Sequence, residues 1–394
     1  MKSYQHNALF FNLLCIYSYI CRKSKKKKDM AKMYETFSKL GDPRVVGRSS
    51  HLLTDILILS VLAVICGADS YDAIELFGKA HYEELKKILR LPNGIPSHDT
   101  INRVFQSINA RHFEKLFVEW ASGLKCCGED AEVEVIAIDG KTMRGSKDTF
   151  HGNNPLHIVH AWSVKNAMCL GQYKTDDKSN EITAIPQLIE MLDIAGSVVT
   201  IDAMGTQKDI AEKIVEAGAD YILAVKGNQE TLLEDVEVMC NYERPAAEDT
   251  DVDKGHGRIE VRLCQAFEPD AIIRMDHKDW PGLKTVVRVR ATRTVNGKQA
   301  SENRFYISSL PTNSPFNTYI RNHWEVENKL HWTLDMTFRE DLQRKRSKMA
   351  AQNFSILTKF AFNLLKKDKS KLSLVNKRLK AAWDWDYLMQ LLQI

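Results

Sequence analysis

Two apolar stretches that each run into an aspartate constrain the fold of this chain more than any other feature. Residues 133–144 contain a β-branched run typical of a buried strand, and this run reaches Asp139. Gly140 is expected to bend the chain directly afterwards. Residues 197–206 repeat the arrangement with Asp202 and a small turn that contains glycine. A carboxylate in such a place is costly unless it is paired or coordinated, although either aspartate alone also fits a strand-end residue that hydrogen-bonds a turn.

The repetition of this pattern predicts a pair of neighbouring acids. If both strands belong to one sheet, Asp139 and Asp202 lie side by side. Carboxylates at that distance repel each other unless they share protons or metal ions. A pair of Mg²⁺ ions is the usual solution in enzymes that act on phosphodiesters. The sequence therefore indicates metal-dependent phosphoryl transfer, and this chemistry calls for a third acid.

Charge along the chain is uneven. The 394 residues suffice for two or three domains, and 44% hydrophobic with 27% charged residues is an ordinary globular composition. The net charge is only +4, so a nucleic-acid argument has to rest on local patches. Residues 344–380 hold twelve Lys or Arg against one acid. This tract predicts DNA contact, although such a run is also typical of a solvated helix face.

Residues 1–32 are interpreted as an extension that is poorly ordered or forms a loosely attached helix. The apolar stretch at 8–20 is short for a membrane span and precedes its positive charges, the reverse of a cleavable signal peptide. An uncleaved anchor and a nuclear-type signal are alternatives. The favoured interpretation is a translation start at Met30 or Met33, without stable membrane association. The eight cysteines lack zinc or disulfide spacing, which favours a reduced cytoplasmic protein.

The order of the predicted elements indicates an α/β fold behind a helical domain. Residues 33–128 are expected to form that small helical domain, which is either a DNA-end-binding module or a plain cap. From residue 129 onward the order is three strands, a helix, a strand, a helix and a strand. This order is typical of an RNase H-like domain with a mixed five-stranded sheet and flanking helices. The domain is expected to reach residue 394, with a β-rich insertion at about 241–312 and helices after it.

Two glutamates compete for the role of third acid. On an ideal helix Glu325 and Glu327 point about 200° apart, so only one faces the aspartates. Glu325 stands four residues before Lys329, the spacing of a solvated surface pair. Glu327 shares its face with His323 and His331 and is therefore preferred, with Glu325 as the alternative. The two histidines and Glu327 also fit a buried hydrogen-bonded stripe or, less well, a mononuclear metal site.

Several long motifs carry a family resemblance. The segments IAIDGKTMRGS, SNEITAIPQLIEMLDIAGSVVTIDAMGTQ, GADYILAVKGNQ, KGHGRIEVR, YISSL and RNHWEVENKLHWTLDMTFRED resemble the H-repeat-associated transposases, a DDE-type insertion-sequence family. The similarity runs from about Gly41 to the C-terminus, and the first 29 residues have no counterpart in the family pattern. The resemblance implies an RNase H-like catalytic domain with a β-insertion between the second and third acids. It places the catalytic and metal-binding triad on Asp139, Asp202 and Glu327, with two Mg²⁺ or Mn²⁺ ions.

The implied function is DNA transposition, in which DNA ends are cleaved and joined by in-line phosphoryl transfer. One ion activates a water or a 3′-hydroxyl and the other stabilises the leaving oxygen. The expected partners are double-stranded DNA, as terminal inverted repeats and as target, and a second copy of the chain in the DNA complex. The expected location is the bacterial cytoplasm, with the nucleoid as the place of action. The candidates for DNA phosphate contacts, each also interpretable as an ordinary surface charge, are Lys141, Arg144, His256, Arg258 and Arg321.

Two other functions remain open at this point. One is an inactive or repurposed copy that binds DNA without transposing it. The other is a metal-dependent phosphohydrolase of a small substrate. The sequence contains no P-loop pattern, and a basic C-terminal third is unnecessary for a small substrate.

Overall fold

A computed structural model of the chain describes residues 28–45, 47, 49–125, 133–150, 152, 154–176, 181–255 and 257–392, with the backbone alone at 28–31. The part of the expected extension before residue 28 lies outside these residues. The chain divides into two compact units, one of residues 1–125, 143–156 and 334–394, the other of residues 126–142 and 157–333. In the described part of the chain, every helix is too short or too polar to cross a bilayer.

The described helices are, in chain order, α1 (Lys28–Ser38), α2 (Leu53–Ile65), α3 (Tyr71–Ala80), α4 (Tyr82–Leu85), α5 (His98–Ser107), α6 (Ala110–Ser122), α7 (Glu181–Met191), α8 (Lys208–Glu216), α9 (Glu230–Tyr242), α10 (Ala271–Asp276), α11 (Phe316–His323), α12 (Trp332–Met336), α13 (Ala350–Lys367), α14 (Leu374–Trp383) and α15 (Trp385–Leu391). The strands are β1 (Val135–Met143), β2 (Leu156–Ser163), β3 (Met168–Lys174), β4 (Val198–Ile201), β5 (Asp220–Val225), β6 (Ala247–Gly255), β7 (Arg258–Phe267), β8 (Thr285–Val295) and β9 (Lys298–Ser308). A π-helix spans Val326–His331.

The first unit is helical and is built around α13. This helix is buried along most of its length and packs on α2, α5 and α6. Phe360 of α13 is fully buried, and its ring contacts four aromatic side chains: Phe37, Phe113, Phe117 and Trp120. Such ring pairs add specific geometry to the burial of apolar area. Helix α5 begins with an N-cap, since the Ser97 hydroxyl accepts from the backbone N–H of Thr100.

Part of the basic tract at residues 344–380 faces the interior of this unit. The Lys359 ammonium is fully buried and lies 2.5 Å from the Glu340 carboxylate. Lys377 is buried, and Lys345 and Arg378 are partly buried; all three donate to main-chain carbonyls. Lys359 and Lys377 therefore contribute no charge to the surface, and DNA contact by the rest of the tract stays a prediction. The exposed cations of the tract are Arg344, Arg346, Lys348, Lys369, Lys371 and Lys380.

The second unit contains one large mixed sheet. Within the described residues nine strands pair in the order β3-β2-β1-β4-β5-β9-β8-β7-β6. β1, β4 and β5 are parallel to one another, and β3 is antiparallel to β2. The expectation of a five-stranded sheet interrupted by a separate insertion is therefore wrong. The insertion continues the same sheet, because residues 305–308 of β9 pair with residues 222–225 of β5, which would otherwise be an exposed edge.

The outermost strand, β6, was not predicted from the sequence. It contains four acids in nine residues, a composition with low strand propensity. As an edge strand it pairs only with β7, and exposed charges at an edge oppose pairing with further chains. The neighbouring β8–β9 hairpin turns through Asn296 and Gly297, both with positive φ, as a tight two-residue hairpin requires.

A buried ion pair in the first unit gives a test of this packing. Lys359→Met should destabilise the protein by about 3 kcal/mol, because the buried Glu340 carboxylate loses its ammonium partner. The matched control is Lys369→Met, which removes an exposed cation and should change the free energy of unfolding by less than about 0.5 kcal/mol. Urea unfolding of the three proteins measures both values, and equal midpoints for the two variants would contradict the structure.

Candidate functional site

Parallel pairing of β1 and β4 brings the two predicted aspartates together. The last paired residues of this register are Ile138 and Ile201, so Asp139 and Asp202 follow at the same level of the sheet. The Asp139 side chain is only 15% exposed. The sequence suggested a bend directly after Asp139, but β1 continues through Gly140 to Met143. Gly140 is therefore not a turn residue.

Glu327 lies in the same groove as the two aspartates. Glu325 is engaged elsewhere: its carboxylate accepts from Nε1 of Trp162 at 3.2 Å and pairs with the Lys329 ammonium. The pairing with Lys329 is the one that the sequence predicted. The assumption of an ideal α-helix was wrong, however, because residues 326–331 form a π-helix with a wider turn. The side chains of Glu325 and Glu327 still lie in different surroundings, but the angle between them about the helix axis cannot be calculated from the 100° per residue of an α-helix.

Burial, followed by the crowding of negative charge, governs the ionisation of the acids in this groove. Burial, and then the carboxylates of Glu181, Asp202 and Glu327, raise the pKa of Asp139 to about 8. Burial and the Glu181 charge also raise the pKa of Asp202, against the backbone N–H groups of Met204 and Gly205, which donate to it. Burial and the Asp202 charge raise the pKa of Glu327. Asp139, Asp202 and Glu327 are therefore all harder to ionise than ordinary carboxyl groups.

The two histidines near Glu327 bind the sheet instead of this glutamate. His323 Nδ1 lies 3.0 Å from the Thr200 hydroxyl, and burial lowers the pKa of His323 to about 4, so its ring is neutral at pH 7. His331 lies 3.2 Å from His160 and 3.5 Å from the Asp139 carboxylate. These contacts agree with the hydrogen-bonded stripe. Within the described ranges, no three His, Cys, Asp or Glu side chains already stand close enough together to hold a metal ion.

Sequence reasoning missed two charged residues of this region. Glu181 is the first residue of α7, where an acid is ordinarily explained by the helix dipole. Lys226 follows the end of β5 directly and lowers the pKa of Asp202. The parallel pairing of β4 and β5 was a usable signal for Lys226, because residues after the ends of adjacent parallel strands become neighbours. No pattern in the sequence places Glu181 beside the aspartates.

The five DNA-contact candidates do not form one group. Arg258 and Arg321 line a common groove of the second unit, but Arg321 already pairs with two aspartates of β6 at 2.6 Å. Lys141 is 7% exposed within β1. Arg144 belongs to the first unit, where its side chain is exposed. His256 lies outside the described residues. Among the described candidates, Arg258 and Arg321 are both exposed in a groove of the second unit, but Arg321 is already engaged by the two aspartates.

Comparison with known proteins gives matches over most of the chain. Residues 131–364 match the family described as "Transposase DDE domain", and residues 34–121 match the one described as "DDE_Tnp_1-associated". The "H repeat-associated putative transposase YhhI" of Escherichia coli K12 is 42% identical over 92% of this chain and 98% of its own length. The "Putative transposase YncI" of E. coli O157:H7 is 42% identical over 91% and 94%. The "Inactive transposase YbfQ" of E. coli K12 is 43% identical over 19% of this chain and 90% of its own length.

The raised pKa of Asp139 predicts a pH dependence of stability in the metal-free protein. Between pH 4 and 8 folded Asp139 keeps a proton that the unfolded chain releases, so this residue's contribution to stability falls as pH rises. Asp139→Asn removes this pH-dependent loss of stability, so the substitution should raise the melting temperature at pH 8 more than at pH 5. Thermal unfolding in EDTA at both pH values measures the difference. Asp386→Asn, an exposed control, should shift both values equally, and the same behaviour in Asp139→Asn would contradict the prediction.

Proposed function

The chain belongs to the H repeat-associated, DDE-type transposase family, and we propose that it is a DNA transposase with Asp139, Asp202 and Glu327 as its catalytic acids. The observation that carries this proposal is the parallel register that sets the two aspartates side by side, with Glu327 in the same groove. The transposase DDE domain implies an RNase H-like fold. The inner sheet order β3-β2-β1-β4-β5, with two parallel pairs around β4, supports it.

Divalent metal ions fit the donor chemistry of this groove. Carboxylate oxygens are the ligands that Mg²⁺ and Mn²⁺ prefer. Burial and the charges of neighbouring carboxylates raise the pKa of all three acids, and a bound cation would offset both effects. Two such ions, when bound, supply the Lewis acidity that activates the attacking oxygen and stabilises the leaving one. The side chains have to draw closer together to hold them, since no preformed three-ligand cluster is present among the described residues.

The protein's own residues position and neutralise the DNA in this proposal. Asp202 is held by two backbone N–H groups, which fix its orientation beside Asp139. Neutral His323 adds no charge to the groove. Lys226 and Arg258 are the cations we assign to DNA phosphates, whose contacts set position and not sequence preference. We further propose that two copies act together on DNA ends and that the protein works in the cytoplasm.

A second candidate is a transposase-derived protein that binds DNA without cutting it. The relative named as inactive is a specific reason to keep it, although that protein corresponds to only 19% of this chain. The presence and proximity of all three acids favour activity. The two functions differ in one measurable respect, because only the active protein nicks DNA in a metal-dependent way.

Substitution of each glutamate by glutamine tests the assignment of Glu327 as the third catalytic acid. Glu327→Gln should lower Mg²⁺-dependent nicking by about a thousandfold, the scale on which one element of charge stabilisation acts. Glu325→Gln should keep near-normal turnover, because its partners are Trp162 and Lys329 and not the aspartates. Nicking is measured on supercoiled plasmid that carries the DNA flanking the gene.

Asp139→Asn and Asp202→Asn complete the experiment, and both should abolish nicking while DNA binding persists. A reversed result for the glutamates would make Glu325 the third acid. DNA binding by a wild-type protein that never nicks would support the non-cutting candidate instead, and nicking that persists in EDTA would contradict the proposed metal-dependent mechanism.

A further inference from the structure

Gly140 is required by a close approach of another chain segment. It lies in the extended strand β1, directly after Asp139, and does not have a positive φ. A Cβ atom at this position would overlap the Glu181 carboxylate and would lie 2.6 Å from His157 Nε2. The first residue of α7 is therefore packed against the backbone that carries Asp139, and only glycine leaves room for it.

A chain of two hydrogen bonds holds the Glu181 carboxylate in this place. His157 Nε2 lies 2.8 Å from Glu181 Oε1, and His157 Nδ1 lies 2.8 Å from the Thr142 hydroxyl. A carboxylate only accepts, so Nε2 carries the proton, and in the neutral ring Nδ1 accepts from Thr142. Thr142 lies on β1 and His157 on β2, so both anchors stand on neighbouring strands of the sheet. Histidine–carboxylate contacts of this kind orient ligands at metal sites.

Glu181 is also the carboxylate that acts most strongly on both aspartates. After burial, its charge is the largest cause that raises the pKa of Asp139, and it raises the pKa of Asp202 as well. The contact with His157 therefore holds a negative charge near two other acids, at a cost that a bound cation would offset. The side chains of Glu181 and His157 are 17% and 28% exposed, so water screens this repulsion only in part.

We propose that Glu181 is a fourth metal-binding carboxylate of this site, positioned by His157 and Thr142 and admitted by Gly140. This inference rests on the proposed function, because it assigns Glu181 to the same divalent ions as the aspartates. His157 and Thr142 are positioning residues in it. The competing explanation is a purely structural His157–Glu181 pair that ties α7 to the sheet.

Metal binding without DNA separates these explanations. Isothermal titration with Mn²⁺ should give at least a tenfold weaker affinity for Glu181→Gln, which keeps the size of the side chain and its hydrogen bond from His157 but loses the charge. The matched control is Glu190→Gln on the same helix, whose carboxylate pairs with Lys213 at the surface. It should bind Mn²⁺ as the wild type does.

Gly140→Ala gives an independent measurement in which every carboxylate remains. The added methyl group must displace the flexible end of Glu181, so the fold is expected to persist while Mn²⁺ affinity falls by a similar factor. This variant decides the matter if Glu181→Gln is unfolded in circular dichroism. Wild-type Mn²⁺ affinity in either folded variant overturns the inference.

The outcomes for the inference and for the proposed function are distinct. If the wild type binds Mn²⁺ and nicks DNA, and Asp139→Asn loses both properties, the transposase assignment stands even when Glu181→Gln behaves as the wild type. In that case only the role of Glu181 is rejected. If the wild type neither binds Mn²⁺ nor nicks DNA, the proposed function is rejected and the fourth ligand with it.

Discussion

Repulsion between two carboxylates on adjacent parallel strands is the constraint around which the second unit is arranged. The β1–β4 register makes Asp139 and Asp202 neighbours, and burial prevents water from screening them fully. Two backbone N–H groups and a nearby lysine limit this cost for Asp202, whereas for Asp139 the compensating contact is the backbone N–H of Gly140. Asp139 keeps a strongly raised pKa. A site of this kind is stable as a metal-free protein mainly because protons take the place of the missing positive charge.

The inner strands and the proximity of the acids could be predicted because they depend on local patterns. The inner elements follow the predicted order of three strands, a helix, a strand, a helix and a strand, and the two strands that lead to the aspartates were located by their apolar residues alone. The nine-stranded sheet could not be predicted in this way. The β5–β9 pairing joins residues about eighty positions apart, and nothing in either strand specifies its partner. The acidic strand β6 shows the same limit, because its neighbour decides its conformation more than its own propensity does.

Charge and glycine patterns proved less reliable than apolar ones, for a common reason. A count of lysines in residues 344–380 does not show that Lys359 meets Glu340 inside the helical unit. A glycine after Asp139 suggests a turn, whereas the structure uses it to admit Glu181. In both cases the decisive partner is distant in sequence. Residues whose role depends on one specific contact are therefore the ones that a single sequence hides most completely.

The continuity of the sheet has a mechanical consequence. β9 is hydrogen-bonded to β5 on one side and to β8 on the other, and the chain that leaves β9 leads through α11 to the π-helix that carries Glu327. The hydrogen-bonded outer strands therefore anchor the start of the segment that carries Glu327. The distance between this glutamate and the two aspartates thus depends on how the whole sheet is held together, and not on the inner strands alone.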